Sequence, residues 1–207
     1  MSETGQENNL DQPGLATPGA AECADLIVHL ARLAQGGPGA AELSAAQWTA
    51  LRYFSRANRF SRTPSAFSQY HATTRGTASQ TVKSLVGMGL LQRKCNEMDG
   101  RSALIELTPA GRETLQRDPL ADLHKVLDAL PPASRSALAE ALRTATGALA
   151  QLRLSPTFGR CEDCTHCDPS PGGAFCHCTQ ATLMAEEMDA LCVDFTPIRQ
   201  AAERTAR

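Results

Sequence analysis

No stretch of this 207-residue sequence approaches the roughly 20 consecutive apolar residues that a membrane-spanning helix needs. The opening MSETGQENNLDQPG also lacks the basic start and apolar run of a secretory signal, so the expectation is a cytoplasmic protein without membrane contact. Missing too are a P-loop, a dinucleotide-binding glycine fingerprint, a Ser/His/Asp constellation and a paired-carboxylate motif, which argues against an enzyme. Nor is there an excess of either charge sign, for the formal net charge is only −2.

That small total conceals an asymmetry. Between Ser44 and Arg117 stand eleven Lys/Arg against four acids, a net of +7, while the rest of the chain carries −9. A basic segment held between acidic ones is the electrostatic layout of a nucleic-acid-binding face. The apolar fraction, 42%, is ample for a hydrophobic core in a chain of this length.

Residues 1–19 are poor in apolar side chains and rich in Gly, Pro, Asn and Gln, which predicts a disordered tail. Leu26, Ile27, Leu30 and Leu33 then recur at helical spacing over 20–35, before Gly36-Gly37-Pro38-Gly39 stops the helix. Ser44 reads as the N-cap of a second helix whose Trp48, Leu51, Tyr53 and Phe54 form its apolar face, with Trp48 a core residue. A short helix is predicted over 64–71 and a longer one over 75–88, with Ala78, Val82, Leu85 and Val86 buried. Gly87 and Gly89 end it. Residues 90–94 and 103–108 alternate as two strands around the polar tip 96–101. Thr108 and Pro109 start another helix, and Pro131-Pro132 separates it from a last long one ending near Leu154. From Leu115 to Leu152 these helices carry more leucine than so small a core can use, which points to a homodimer interface.

A helix, a turn, a second helix and a hairpin make a winged helix-turn-helix. Its second helix must offer short or flexible polar groups to the major groove, where each base pair shows its own donor and acceptor pattern. Arg75, Thr77, Ser79, Gln80 and Lys83 meet that need, with Gln80 suited to adenine edges and Arg75 to guanine or phosphate.

The segment TTRGTASQTVKSLVGMGLLQRK, followed by MDGRSALIELTPAGRETL, resembles the multiple antibiotic resistance regulator (MarR) family. Asp99-x-Arg101-Ser102 followed by Leu107-Thr108-Pro109-x-Gly111 is similar to the family's wing signature. The resemblance covers 43–115 well and 20–154 more loosely. It implies a homodimer on a palindromic operator in double-stranded DNA, the helix from Arg75 in the major groove, and Arg101 in the minor groove with Asp99 bracing it. The preceding helix, PSAFSQYHATT, is more polar and aromatic than the family norm, and no effector signature is legible.

Six of the eight cysteines crowd the C-terminal segment, as Cys161-x2-Cys164-x2-Cys167-x8-Cys176-x-Cys178-x13-Cys192. In a chain expected to stay in a reducing compartment, a C-x2-C pair beside further cysteines points to metal before structural disulfides. The set Cys161, Cys164, Cys176 and Cys192 is taken as the ligands on its resemblance to tails of some family members, with Cys167, Cys178 and His166 as alternates. Only one C-x2-C knuckle arrangement is evident, so the reading leans to an iron-sulfur cluster, with Zn2+ the alternative. A short helix over 180–191 is expected to pack Met184, Met188 and Leu191 against the site.

The expected fold is mainly α with a small β-hairpin wing: a winged helix-turn-helix with helical dimerisation and a cysteine-rich extension. The divisions are 1–19, 20–154, 155–197 and 198–207. The expected function is a sequence-specific DNA-binding transcription regulator modulated by the tail. The alternatives are a zinc-stapled adaptor or an electron-transfer protein on a winged-helix scaffold.

Overall fold

The computed structural model describes residues 18–36, 42–95 and 103–198. The expected N-terminal tail up to residue 17, the wing tip at 96–102 and the C-terminus from 199 lie outside the described residues.

Helix α1 (Ala20–Ala34) precedes α2 (Ala45–Arg56), whose start is fixed by a reciprocal cap. The Gln47 N–H donates to Ser44 Oγ at 3.3 Å, and the Ser44 N–H donates to Gln47 Oε1 at 2.7 Å. The apolar stripe of α2 is buried as its spacing predicts, with Trp48, Leu51, Tyr53 and Phe54 all in the core. Each such side chain contributes about 1.5–3 kcal/mol on burial. Trp48 Nε1 is buried without a partner among the described residues, a polar cost set against that gain.

Thr63 caps α3 (Pro64–Tyr70) through the Ala66 N–H, with Pro64 in the first turn where no donor is lost. Thr74 caps α4 (Arg75–Gly87) in the same way, through the Thr77 N–H. Ala78, Val82 and Leu85 turn inward from α4. Gly89, at φ +73°, makes the left-handed step that redirects the chain into β1 (Leu91–Cys95). This strand pairs antiparallel with β2 (Ala103–Leu107), from Leu91 opposite Leu107 to Cys95 opposite Ala103, and the two are the stem of the wing.

After the wing the structure departs from the single helix expected between Thr108 and Pro131. Two helices form, α5 (Pro109–Leu115) and α6 (Leu120–Asp128). Between them Pro119 has no N–H to continue the ladder. Asp118 stabilises the break: its Oδ1 accepts the Leu120 N–H at 2.9 Å and an Arg52 Nη1–H at 2.7 Å. Helix α7 (Pro132–Leu152) follows. None of α1, α6 or α7 has a buried residue in the single chain, and Leu26, Ile27, Leu33, Val126, Leu149 and Leu152 are exposed.

The C-terminal segment is a small β-structure. β3 (Gly159–Arg160) pairs with β7 (Leu191–Cys192), and β4 (Cys167–Ser170), β5 (Gly173–Cys176) and β6 (Ala181–Met184) form an antiparallel meander. The helix expected over 180–191 is therefore wrong: strand β6 is followed by a single 3-10 turn, Ala185–Glu187. The strand ends at Met184 and Met188 follows the 3-10 turn, so the two do not sit one above the other on a helical face. Met184 is exposed, whereas Met188 packs on the cysteine cluster and Leu191 joins the main core.

Candidate nucleic-acid interface and cysteine cluster

Arg75, Thr77, Ser79, Gln80 and Lys83 are all exposed on α4, on the side away from the fully buried Ala78, Val82 and Leu85. Thr77 also belongs to the cap, its hydroxyl lying 2.9 Å from that of Thr74. The helix is held from behind by Gln47 Nε2, which donates to Ser84 Oγ at 3.1 Å. That tie between α2 and α4 leaves no signature in spacing. Asp99 and Arg101 lie outside the described residues.

Ten of the eleven cations of the basic segment lie among the described residues, and they divide into two groups. Arg52 pairs with Asp118 at 2.7 Å, Arg59 with Glu187 at 2.8 Å, Lys94 with Glu106 at 2.6 Å and Arg117 with Glu42 at 3.3 Å. Arg62 Nε donates to the Ala57 carbonyl at 2.9 Å, and Arg112 Nη1 to that of Leu107 at 2.9 Å. These six support the fold. Arg56, Arg75, Lys83 and Arg93 pair with no other described residue, and Arg75 and Lys83 sit on α4 with Arg93 on β1. The positive charge left for a partner is concentrated on the second helix and the wing stem.

The wing signature also has a physical basis. Thr108 Oγ1 accepts the Gly111 N–H at 3.0 Å and donates to the Gly89 carbonyl at 2.6 Å, so one side chain caps α5 and ties it to the exit of α4. A Cβ on Gly111 would collide with the Leu90 carbonyl, so no larger residue fits without movement.

The cysteine-rich segment docks on the loop between α2 and α3, at 57–62. The Asn58 N–H donates to the Leu191 carbonyl at 2.9 Å, next to a parallel bridge between Ala57 and Leu191. The Val193 N–H donates to Ser61 Oγ at 2.9 Å. Arg59 Nη2 donates to the Thr182 carbonyl at 2.6 Å. Phe158 meets Tyr53 edge-on at 6.2 Å and Tyr70 at 5.1 Å. The aromatic surplus noticed in α3 thus has a use: Tyr70 is part of the seat for the tail. The same loop reaches the wing, because the Arg62 carbonyl accepts the Ile105 N–H at 2.8 Å. Its centre is Ser61, fully buried, whose carbonyl accepts the Tyr53 hydroxyl at 2.7 Å and whose N–H donates to Asn58 Oδ1 at 2.9 Å. Burial drives the Tyr53 phenol well above its ordinary range, so it remains a donor.

Of the six tail cysteines, Cys161, Cys164, Cys176 and Cys192 are buried, Cys167 is half-buried and Cys178 exposed; His166 is half-buried. Cys161 and Cys192 hydrogen-bond to each other, and Asn58 donates to both sulfurs, at 3.8 Å to Cys161 Sγ. The Thr196 N–H donates to Cys164 Sγ at 3.4 Å. Within the Cys161–Cys192 pair, the hydrogen bond from Cys161 lowers Cys192 to about 6, and donating that bond, together with burial, raises Cys161 above the usual thiol range. Among the described residues, however, no group of three or more His, Cys, Asp or Glu side chains is arranged to hold a metal ion.

Residues 41–102 match the model of the MarR family. No curated protein matches significantly. Among solved structures, the MepR–DNA complex of S. aureus is similar at 16% identity and TM-score 0.52, covering 63% of this chain and 96% of the other. The PcaV transcriptional regulator from Streptomyces coelicolor, solved with its natural ligand, is similar at 19% and 0.50, covering 65% and 99%. A MarR transcriptional regulator from Methanosarcina mazei Go1 is similar at 20% and 0.50, covering 63% and 97%. Residues 41–102 of this chain thus resemble the MarR family, and the chain is built on the fold of those solved structures, extended by a cysteine-bearing small-sheet segment.

Proposed function

We propose that the chain is a dimeric, sequence-specific DNA-binding transcription regulator of the MarR type. The observation that carries this reading is the exposed face of α4, where Arg75, Thr77, Ser79, Gln80 and Lys83 stand together and both cations are unpaired among the described residues. The MepR structure was solved as a complex with DNA, which supports the same use of this fold. Two copies brought together through α1, α6 and α7 would present two such helices to the half-sites of a palindromic operator, with Arg101 and Asp99 at the minor groove. Lys83→Ala should weaken binding across all sequences and lower the salt slope by about one, while Arg101→Ala should cost about 1–3 kcal/mol at the operator. An operator selected from a random duplex pool supplies the probe. Affinity that is indifferent to salt and to both substitutions would refute the reading.

In a second reading the tail holds Zn2+ or an iron-sulfur cluster through Cys161, Cys164, Cys176 and Cys192. It is favoured by one observation: these four are the buried cysteines. Metal content and the visible spectrum of anaerobically purified protein test it, and less than one zinc or cluster per chain would refute it.

The tail acts on the reading head through the loop at 57–62 of its own chain. That loop leads into α3, which packs on α4, and bonds β2 of the wing, so a change in the tail has a route to both DNA-facing elements that does not pass through the dimer helices.

A further inference from the structure

We propose that Cys161 and Cys192 are a redox-active dithiol that closes to an intrachain disulfide under hydrogen peroxide and reopens with a thiol reductant, pinning the tail to the winged helix when closed. The two thiols already touch through a hydrogen bond, and they are brought together by the β3–β7 ladder, in which Gly159 lies opposite Cys192 and Cys161 follows directly after β3. Asn58, from the loop between α2 and α3, donates to both sulfurs and, through its backbone N–H, to the Leu191 carbonyl.

The chemistry balances within the pair and the peroxide. One sulfur attacks the O–O bond, becoming a sulfenic acid and releasing one water; the second sulfur displaces the hydroxyl as another water and forms the S–S bond. Two thiols lose two electrons and two protons, and one peroxide becomes two waters. Both sulfurs are buried, so the oxidant must be small and reach them in local openings of the tail. The disulfide would cross-link β7, the strand whose Leu191 and neighbouring Val193 bind the loop at 57–62, to the end of β3. Closing that loop constrains the opened tail, so the docked form gains stability. That the docked form then alters DNA affinity rests on the regulator reading above.

The test uses the full chain, reduced, washed with a chelator and titrated with hydrogen peroxide. Non-reducing proteolysis and mass spectrometry should find Cys161 joined to Cys192 as the main product, reversed by dithiothreitol. The closed form should melt at a higher temperature, and its Kd for a duplex selected by the reduced chain should differ by about fivefold or more. Cys161→Ser and Cys192→Ser should each abolish the product, and Cys23→Ser should leave it; the wild-type map decides the matter if the buried variants misfold. A main product joining other cysteines, sulfinic acid in its place, or a chelator-resistant metal that shields both thiols would overturn the proposal. A mapped disulfide with unchanged Kd would overturn its link to DNA. Absence of DNA binding in both states would instead count against the regulator reading.

Discussion

The guanidinium of Arg59 grips the carboxylate of Glu187 with two hydrogen bonds, at 3.0 and 2.8 Å, so a residue of the α2–α3 loop holds the turn between β6 and β7. The same side chain lies over the Phe60 ring at 4.8 Å. Arg59→Ala should cost about 1 kcal/mol or less of global stability, because the side chain is partly exposed and water screens the pair. The local effect should be larger in kind: faster limited proteolysis of the segment after Leu154. An unchanged cleavage rate would show that Arg59 does not hold the tail.

Gly111→Ala should destabilise the fold by about 1–3 kcal/mol, since the added methyl would run into the Leu90 carbonyl and push α5 from the exit of α4. Thr108→Ala should cost about 1 kcal/mol through loss of the cap. Denaturant midpoints measure both, and a Gly111→Ala protein as stable as the parent would refute the packing argument.

His71 caps the end of α3 and stacks on Phe67 at 5.5 Å with ring planes 7° apart. Burial holds its imidazole below the ordinary 6.5, so the folded state disfavours the proton that the unfolded chain accepts. Stability should therefore be full above pH 6.5 and fall as pH drops through that value towards the folded pKa. Denaturation of the parent and of His71→Gln between pH 7.5 and about 5 separates this contribution from that of other groups. Equal slopes in the two proteins would remove His71 as the cause.

The apolar side chains on α1, α6 and α7 should be covered by a second copy of the chain. Sedimentation at micromolar concentration should give a dimer, and Leu30→Asp, on the exposed face of α1, should shift it towards monomer. A monomeric parent would refute this.

The sequence made α2 and α4 legible because their apolar residues keep helical spacing, and for α2 because its cap, Ser44, stands immediately before it. The polar set on α4 followed from the same periodicity. The break at Pro119 was missed: leucines on both sides preserve the pattern, and the Arg52–Asp118 contact that supports the turn joins residues far apart in sequence. The tail was misread for a related reason. Met184, Met188 and Leu191 fit a helical stripe, but pairing of β5 with β6 and of β3 with β7 decides the backbone there, and such pairing leaves little trace in short segments. The burial of four cysteines together accords with the spacing, whereas the contact between Cys161 and Cys192 spans too much chain to be read from it.

The seat of the tail on the loop at 57–62 also bears on how far the two parts of the chain can be separated. A chain ended at Leu154 would lose Leu191 from the main core and Phe158 from its place against Tyr53 and Tyr70, and the Asn58 N–H would lose its acceptor. The winged helix is thus not a self-sufficient module with an accessory appended. Transplanting this tail to another scaffold would require the receiving loop to carry the equivalents of Asn58, Arg59 and Ser61 as well.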